Sequence, residues 1–492
     1  MSGRWVALAW GATILLSWWG AGAYLGILAE GNDRSLIPRD TLVPPALGLV
    51  VSLILTVVWA RGLGRGGATP GRGMGRRRFL LGSATTLGGV VLTLAAPLAR
   101  NWRWKTISAD EFFLSKTPKM AERPKREWEG ARVRAYRRLG RTGVEVSDIS
   151  FGSGRIRPGP GGEAIAREAI ERGVNYFDTA PDYSATGSET ALGRVIKDQR
   201  DQIFLATKFC NPEGNLPAGS SVSQYMNVVE GSLKRLQTDY VDLVHIHSCD
   251  SLERLLDPNV HEAFDRLKQQ GKVRFLGFSS HTPNLEQVAN TAIDDGRFDV
   301  MMLAYHHGAW PNLASIIDRA HAADIGVVAM KTLKGAKHQG LLEYRDEADS
   351  YTQAAFKWVL QNPSVSCLVV SFYAPPQIDE YLYASGEAPA PGDTALLDKY
   401  DRLIAGKHCF QHCGACLDSC PENLPIDDVL RYRMYFEDYG DEKEALRLYS
   451  KLEIKADVCA GCSAPCAHAC PFGIPIPERT AETHQMLTLE RG

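Results

Sequence analysis

The sequence has almost no net charge and few cysteines outside its C-terminal region. Its 492 residues carry 55 lysines and arginines against 57 aspartates and glutamates, a net charge of −2. This balance gives no electrostatic basis for binding nucleic acid. Eight of the 11 cysteines lie between Cys409 and Cys470, often near prolines, which favours metal ligation over a disulfide framework. The length is sufficient for two or three domains.

Charged side chains are missing from three apolar stretches in the N-terminal region. The stretches lie at 5–28, 42–60 and 79–98. Each has about 20 residues, which as a helix would span a hydrocarbon core of about 30 Å. We therefore expect residues 1–100 to form a membrane region with transmembrane helices. Buried core helices are the alternative for these stretches.

Arginines before the third stretch predict the orientation of the chain. Six lie in 61–78, whereas the loop at 29–41 has two. The positive-inside rule puts loop 61–78 in the cytoplasm and the following domains on the exported side; basic residues after position 98 favour the cytoplasmic alternative. Arg76-Arg77-Arg78-Phe79-Leu80 looks like a twin-arginine export signal, with an ordinary stop-transfer flank as the alternative. Residues 101–135 lack apolar periodicity, which predicts a linker.

Short apolar runs alternate with amphipathic helical segments from residue 136 to residue 395. The runs are nearly continuous in hydrophobicity, as strands buried on both faces require. Eight strand–helix units over about 250 residues predict an α/β fold, the (β/α)8 TIM barrel. An open doubly wound sheet is the alternative, but Phe151-Gly-Ser-Gly154 is a weak match to its phosphate-binding loop. The predicted strands are 147–153, 174–180, 203–208, 240–247, 273–280, 299–305, 325–332 and 367–372.

Four polar residues lie at or just after the ends of three successive predicted strands. In a barrel these ends meet at one rim, so we expect Asp178, Tyr183, Lys208 and His247 to converge there. Tyr183 would protonate a carbonyl oxygen as hydride arrives, and Lys208 would lower the tyrosine pKa from its ordinary value near 10. Asp178 would keep Lys208 charged. His247 would hydrogen-bond the carbonyl or share the proton. Any one of these residues alone is more often structural.

The segments around these residues resemble the aldo/keto reductases. The resemblance covers about 138–385. It implies a barrel that binds NAD(P)H in extended form and passes hydride to a substrate carbonyl, with the four roles given above. The matching segments are Arg138-Leu-Gly-Arg-Thr-Gly143, Asn175-Tyr-Phe-Asp-Thr-Ala-Pro-Asp-Tyr183, Ala206-Thr-Lys208, Leu233-Lys-Arg-Leu, Asp239-Tyr-Val-Asp-Leu-Val-His-Ile-His247 and Gly271-Lys-Val-Arg-Phe-Leu-Gly277.

The chain departs from this family where the nicotinamide carboxamide is bound. The family usually has Ser-Asn after strand 5 and Gln in strand 6, but this chain has Ser279-Ser280 and Met302. Residues 371–381 contain no basic side chain that could bind a 2′-phosphate, so NADP and NAD both remain open as cofactors. The cofactor-binding residues implied by the resemblance are Ser279, Ser280, Tyr305, Gln377 and Glu380.

Two cysteine runs lie in residues 396–492. Each ends in Cys-Pro, the ferredoxin signature, and in two-cluster ferredoxins the fourth cysteine of each run binds the other cluster. This pattern predicts a small α-helical ferredoxin-like domain with two [4Fe–4S] clusters; one cluster or a zinc site are alternatives, since two spacings are a residue longer than usual. A subgroup of aldo/keto reductases has such an extension. The predicted ligand sets are Cys409, Cys413, Cys416 and Cys470, and Cys459, Cys462, Cys466 and Cys420.

Together these features predict a membrane-anchored oxidoreductase that interconverts a carbonyl and an alcohol with NAD(P)H. Its iron–sulfur clusters would transfer electrons or stabilise the structure. The expected partners are a small carbonyl or alcohol substrate, the membrane, and a redox protein or quinone. Coupling hydride to single electrons usually needs a flavin, and no flavin motif is evident. Met302 favours an alternative, an electron-transfer or redox-sensing protein whose barrel is a binding platform without hydride chemistry.

Overall fold

The chain divides into two units, Met1–Phe112 and Phe113–Gly492. Most of the first two predicted apolar stretches, all of the third, the twin-arginine-like segment and most of the predicted linker lie outside the described residues. Among the residues that are described, no helix is both long and apolar enough to cross a bilayer. In the first unit, the buried hydroxyls of Thr13 and Ser52 lie 2.8 Å apart. The computed structural model describes residues 12–14, 52, 54, 125–309, 312–334, 350–372, 374–410, 413–437 and 442–488.

Eight parallel strands close a barrel in the second unit. β4 begins the order of parallel strands, which runs through β3, β11, β10, β9, β8 and β7 to β5, and β4 also pairs with β5, so the eight strands close on themselves. All eight strands coincide with predicted ones, and the open-sheet alternative is wrong. An antiparallel hairpin, β1–β2, precedes the barrel and was not predicted. The strands are β1 Tyr136–Arg138, β2 Glu145–Ser147, β3 Ile149–Gly152, β4 Tyr176–Asp178, β5 Phe204–Asn211, β6 Gly214–Asn215, β7 Val241–Ile246, β8 Val273–Ser280, β9 Val300–Ala304, β10 Gly326–Met330 and β11 Cys367–Ser371.

Strand β5 is longer than predicted. It continues beyond Lys208 to Asn211, because Cys210 and Asn211 pair with β6 in an antiparallel hairpin. Lys208 therefore lies within the strand and not at its end. Since side chains alternate along a strand, Cys210 projects on the same side as Lys208.

Helices cover the outside of the barrel, and their starts follow local capping chemistry. Ser221 and Gln224 form a capping box at the start of α3. Asp257 caps α5 and also accepts a hydrogen bond from the Tyr225 hydroxyl at 2.9 Å, which ties α3 to α5. The helices are α1 Pro160–Glu171, α2 Gly187–Ile196, α3 Val222–Leu236, α4 Leu252–Leu255, α5 Pro258–Gln269, α6 Leu285–Asp295, α7 Asn312–Ala322, α8 Tyr351–Leu360, α9 Pro375–Tyr383, α10 Pro391–Ile404, α11 Ile426–Glu437, α12 Glu442–Ser450, α13 Cys466–Ala469 and α14 Ile476–Leu487.

Residues 405–488 form a small helical module, referred to below as the cysteine module. Each cysteine run ends in Cys-Pro and leads within six residues into a helix, α11 in the first half and α14 in the second. The Phe410 and Phe472 rings stack across the two halves with centroids 4.0 Å apart. Helix α10, which contains the predicted boundary at 395, packs against α8 through Tyr351 and Tyr400.

The cysteine module contacts the barrel at the C-terminal ends of its strands. The Lys451 ammonium donates to the Glu213 carbonyl, in the β5–β6 turn, at 2.9 Å. Gly414 abuts Pro283, after β8: a Cβ at this glycine would lie 2.8 Å from the proline Cβ. Only glycine allows this approach without a shift of the backbone. The module therefore lies against the rim where the predicted catalytic residues are found.

An open cleft lies between the barrel and the cysteine module. Its barrel side includes His306 and Lys334, and its module side includes His408, Cys409 and Phe410. The Lys334 ammonium lies 5.2 Å from the centre of the Phe410 ring. The first cysteine run thus borders the loops that follow β9 and β10.

Candidate active site

Asp178 and Lys208 form a buried ion pair at the centre of the barrel mouth. The lysine Nζ lies 2.8 and 2.7 Å from the two carboxylate oxygens and donates to the Thr179 carbonyl at 2.8 Å. Both side chains are almost fully buried. Burial alone would lower the pKa of Lys208, but Asp178 and Tyr183 more than offset it and raise that pKa above its ordinary value. The ammonium is therefore charged at neutral pH.

Tyr183 lies over this ion pair and next to His247. The Lys208 Nζ is 4.6 Å from the centre of the phenol ring, and the Tyr183 and His247 rings meet edge to face at 6.0 Å. The structure thus brings all four predicted catalytic residues to one mouth. The groups that meet there are a phenol, an ammonium, a carboxylate and an imidazole.

The chain leaves Tyr183 through an unusual left-handed turn. Three successive residues, none of them glycine, have positive φ: Ser184 at 51°, Ala185 at 50° and Thr186 at 72°. Each such residue costs roughly 1–2 kcal/mol. Contacts of the following helix α2 hold the turn, because its Ser188 hydroxyl lies 2.9 Å from the Thr179 hydroxyl and donates to Ser153 at 2.5 Å. Strain of this kind persists where the surroundings fix the backbone, often at functional sites.

The pKa of Tyr183 shifts in the direction opposite to the one predicted. Burial raises it above its ordinary value, and the Lys208 ammonium lowers it only in part. The sequence argument considered the charge of Lys208 and omitted the loss of solvent around the phenol. Tyr183 is therefore protonated at neutral pH, as a general acid must be at the start of turnover.

His247 is neutral at neutral pH. Burial, followed by the charges of Lys208 and Arg254, holds its pKa well below the ordinary value. We therefore expect His247 to hydrogen-bond a substrate carbonyl as a neutral imidazole and not to donate a proton as an imidazolium. His245, which lies on β7 two residues before His247, also projects inward, and burial lowers its pKa to about 3. It fits because Gly277 faces it: a Cβ there would lie 2.6 Å from His245 Nδ1.

Two further polar residues at the mouth were not predicted from the sequence. Asp182 Oδ1 lies 3.6 Å from the Cys210 Sγ, and Asp182 Oδ2 lies 3.6 Å from His247 Nδ1. The available signals were positional: Asp182 precedes Tyr183, and Cys210 follows Lys208 by two residues on the same strand. Cys210 is a buried free thiol.

The serines predicted to bind nicotinamide already have hydrogen-bond partners in the barrel. The Ser279 hydroxyl accepts from the Ser248 amide at 3.0 Å and retains its own hydrogen for donation. The Ser280 hydroxyl donates to the Cys249 carbonyl at 2.8 Å. The Ser279 hydroxyl can thus donate to a carboxamide, whereas the Ser280 hydroxyl already donates its hydrogen to the Cys249 carbonyl.

Strand β9 offers little to a carboxamide. Met302 belongs to the apolar cluster inside the barrel and is buried. The structure does not bring Tyr305 to the mouth; its ring packs against Trp358 of α8 at 5.3 Å, and its hydroxyl accepts from Asn362 at 3.4 Å. The position of Tyr305 just beyond the strand end suggested a mouth residue, but the side chain points to the helical layer.

Gln377 and Glu380 both lie on α9, which follows the last barrel strand, and both are buried. The Gln377 side chain accepts from the Ala374 amide at 3.2 Å and so caps its own helix. The Glu380 carbonyl accepts from the Gln353 side chain at 3.1 Å. These contacts fix the start of α9 beside the barrel, on the side where the resemblance predicts the adenine of the cofactor.

The eight clustered cysteines fall into two groups that mix the two runs. Cys470, at the end of the second run, interacts electrostatically with Cys413 and Cys416 of the first. All eight are free thiols. One pocket is lined by one cysteine of the first run and three of the second: Cys420, Cys459, Cys462 and Cys466.

Hydrogen-bond donors also point at the sulfur atoms. The amides of Leu424 and Ala464 donate to Cys420 Sγ and Cys462 Sγ, each at 3.3 Å. The hydroxyl of Thr480 donates to a third sulfur, Cys459 Sγ, at 3.4 Å. Such donors stabilise negative charge on thiolates that ligate iron. The donor set and the cavity therefore fit iron–sulfur clusters.

Comparisons with known proteins agree with this division of the chain. Residues 162–349 match the Aldo/keto reductase family, and residues 408–474 match the 4Fe-4S dicluster domain. L-galactose dehydrogenase of Arabidopsis thaliana is 28% identical over 303 residues, which cover 54% of this chain and 93% of that protein. The 6-dehydroglucose reductase of Novosphingobium aromaticivorans is 28% identical over 266 residues, covering 47% of this chain and 83% of that protein.

A solved structure of a putative aldo-keto reductase from Pseudomonas aeruginosa is 25% identical, covers 53% of this chain and 98% of its own, and gives a TM-score of 0.44. The family matches fall on the barrel that carries the buried ion pair and on the module that carries the eight thiols. The chain therefore contains an aldo/keto reductase family domain followed by a 4Fe-4S dicluster domain, and it is an NAD(P)-dependent oxidoreductase of the aldo/keto reductase type.

Proposed function

We propose that the barrel reduces a small carbonyl compound to an alcohol, and catalyses the reverse oxidation, at the mouth formed by Asp178, Tyr183, Lys208 and His247. The observation that carries this proposal is the buried Asp178–Lys208 pair beneath a protonated phenol. The nicotinamide cofactor supplies the hydride when bound. The catalytic groups fit this chemistry, and Ser279 can donate to the carboxamide in place of the family's usual amide side chains.

The protein groups divide the work at the carbonyl oxygen. Neutral His247 hydrogen-bonds the oxygen and fixes its position, while Tyr183 delivers its proton to it. As the phenolate forms, the neighbouring Lys208 ammonium stabilises the new negative charge. Asp178 holds Lys208 in place and keeps it charged. Because the mouth is buried, these charge interactions are stronger than they would be in water.

The names of two relatives guide the choice of substrates. One is a dehydrogenase of L-galactose and the other a reductase of 6-dehydroglucose, so we propose that sugar-type carbonyls and alcohols be tested beside simple aldehydes. We expect substrate-dependent oxidation of NADPH or NADH, which is measured as the fall in absorbance at 340 nm. Turnover with neither cofactor on any carbonyl of this panel would contradict the proposed reaction.

We further propose that the cysteine module holds two [4Fe–4S] clusters and that the first exchanges electrons with the barrel mouth or with a redox protein or quinone. The cleft between Cys409 and the barrel loops supports this placement. Adding NAD(P)H without oxygen should bleach the cluster absorbance. If turnover continues and no bleaching occurs, the clusters have a structural role and the electron-transfer proposal fails.

Paired cysteine substitutions test the crossed ligation. If Cys413 and Cys470 hold the same cluster, the double variant Cys413→Ser/Cys470→Ser should keep about half of the iron, because only one cluster is lost. The matched pair Cys466→Ser/Cys470→Ser should lose both clusters. The measurement is iron per chain with low-temperature electron paramagnetic resonance of the reduced protein. The reverse pattern would show that each run binds its own cluster.

An electron-transfer or sensing role without hydride chemistry is the second candidate. Met302 in the barrel core and the outward position of Tyr305 favour it, since neither binds a nicotinamide there.

For location, we propose that the apolar N-terminal stretches attach the protein to a membrane with both domains on the exported side. Protease added to sealed cells should then degrade the barrel, and a protected barrel would place it in the cytoplasm.

A further inference from the structure

Asp182, Cys210 and His247 form a compact group with three different donor atoms. Each offers one oxygen, sulfur or nitrogen, and these atoms all lie within 4.8 Å of one another. Two of the separations are 3.6 Å, from Asp182 Oδ1 to Cys210 Sγ and from Asp182 Oδ2 to His247 Nδ1. Zinc binds such donors at about 2.0–2.3 Å in tetrahedral geometry, so two ligands of one ion lie about 3.3–3.5 Å apart. Asp182 thus lies near both other donors at close to the separation of two zinc ligands, through a different carboxylate oxygen in each case, and a small movement of the three side chains would let them bind one zinc ion.

His247 Nδ1 supplies an independent observation. This nitrogen is buried and has no hydrogen-bond partner among the described residues. The Asp182 oxygen that faces it is beyond hydrogen-bond distance but close to the separation of two zinc ligands. Leaving a buried polar atom without a partner costs about 1–3 kcal/mol. A metal ion between the two side chains would remove this cost.

The Asp182 carboxylate is available to a divalent cation. Within the part of the chain that the structure describes, no lysine or arginine forms an ion pair with Asp182. The charge of Lys208 acts on Asp182 and His247, but Lys208 is itself paired with Asp178. A carboxylate together with a thiolate would carry two negative charges, which a zinc ion balances. Buried charges in proteins are generally paired or coordinate metals.

We propose that Asp182, Cys210 and His247 bind one zinc ion, with the fourth coordination position open to a water or substrate oxygen at the mouth. Binding forms a zinc–sulfur bond and breaks the S–H bond of Cys210, whose proton passes to solvent. His247 would bind the metal through Nδ1 and keep Nε2 for the substrate. Three protein ligands and one open position are typical of zinc sites at which small molecules bind. The site shares His247 with the proposed reduction, but zinc binding does not depend on turnover.

The test uses the full-length protein with its clusters intact, kept without oxygen. After incubation with ZnCl2 and removal of excess metal, we expect one zinc per chain, with one sulfur and at least two nitrogen or oxygen neighbours by X-ray absorption at the zinc edge. Calorimetry in buffers of different ionisation enthalpy should show about one proton released per zinc. A zinc-edge spectrum with two or more sulfurs would assign the metal to the cysteine module and overturn the proposal.

Single substitutions separate this site from the cluster ligands. Cys210→Ser should weaken zinc binding by about 100-fold or more, since even changes in residues that only support metal ligands cost 10–100-fold. Cys249→Ser is the matched control, because Cys249 is equally buried in the same barrel and its thiol donates to the Ser251 carbonyl at 3.6 Å. If Cys210→Ser fails to fold, Asp182→Asn provides the same comparison. Equal zinc binding by the wild type and a folded variant of either ligand would refute the site.

Discussion

Replacing Tyr183 by Phe should reduce kcat for carbonyl reduction by about 10²–10⁴-fold, the usual contribution of a positioned general acid. The phenol is protonated, its ring centre lies 4.6 Å from the Lys208 ammonium, and its oxygen is the proton donor in the proposed reaction. The ring itself remains, so its edge-to-face contact with His247 at 6.0 Å is kept. Steady-state kinetics measure kcat, and a fluorescence titration with NAD(P)H measures the cofactor dissociation constant separately. We expect the cofactor dissociation constant to change little.

Tyr225→Phe is a suitable control, because Tyr225 is also a buried tyrosine of the barrel and its hydroxyl bonds to Asp257 at a distance from the mouth. It should lose some stability and retain its kcat. If Tyr183→Phe turns over at the wild-type rate, Tyr183 is not the acid. The binding-platform alternative then becomes the better account of the barrel.

Replacing Asp178 by Asn should both destabilise the protein and abolish reduction. The substitution leaves the Lys208 ammonium buried with no carboxylate, and breaking a buried ion pair from one side costs about 3–5 kcal/mol. The Thr179 carbonyl still accepts from Lys208 but carries no full charge. The shift in the urea midpoint measures the loss of stability. The folded fraction should show a fall in kcat, because Lys208 then tends to lose its proton and no longer stabilises a phenolate.

The double variant Asp178→Asn/Lys208→Met distinguishes stability from catalysis. It removes both charges, so no ammonium is left unpaired, and stability should recover in large part relative to Asp178→Asn. Activity should stay absent, since the charge beside Tyr183 is gone. Recovery of activity in the double variant would mean that the ion pair serves only the fold.

The barrel could be predicted closely because its signal is local. Near-continuous apolar runs such as 240–247 and 273–280 can be buried on both faces only as barrel or central strands, and both are strands in the structure. The meeting of the four candidate catalytic residues could be predicted because parallel strands present their ends at one rim. Asp178 and His247 needed only this rule, and Lys208 was found despite lying within a longer strand than expected.

The features that could not be predicted from the sequence depend on how each side chain is surrounded in the folded protein. The direction of the Tyr183 pKa shift depends on the loss of solvent, which packing around the mouth determines. The partner of Ser280 is a backbone carbonyl on the neighbouring β7 loop, and no spacing rule indicates it. Tyr305 turned outward because α8 supplies Trp358 and the loop after it supplies Asn362. The meeting of Asp182 with Cys210 required the loop after β4 and the end of strand β5 to be placed in space.

The contact between Gly414 and Pro283, and that between Lys451 and Glu213, have a kinetic consequence. Both join parts of one chain, so the cysteine module is present at the mouth during every turnover and need not be found by diffusion. Any exchange of electrons between the two would be unimolecular, with a rate independent of protein concentration.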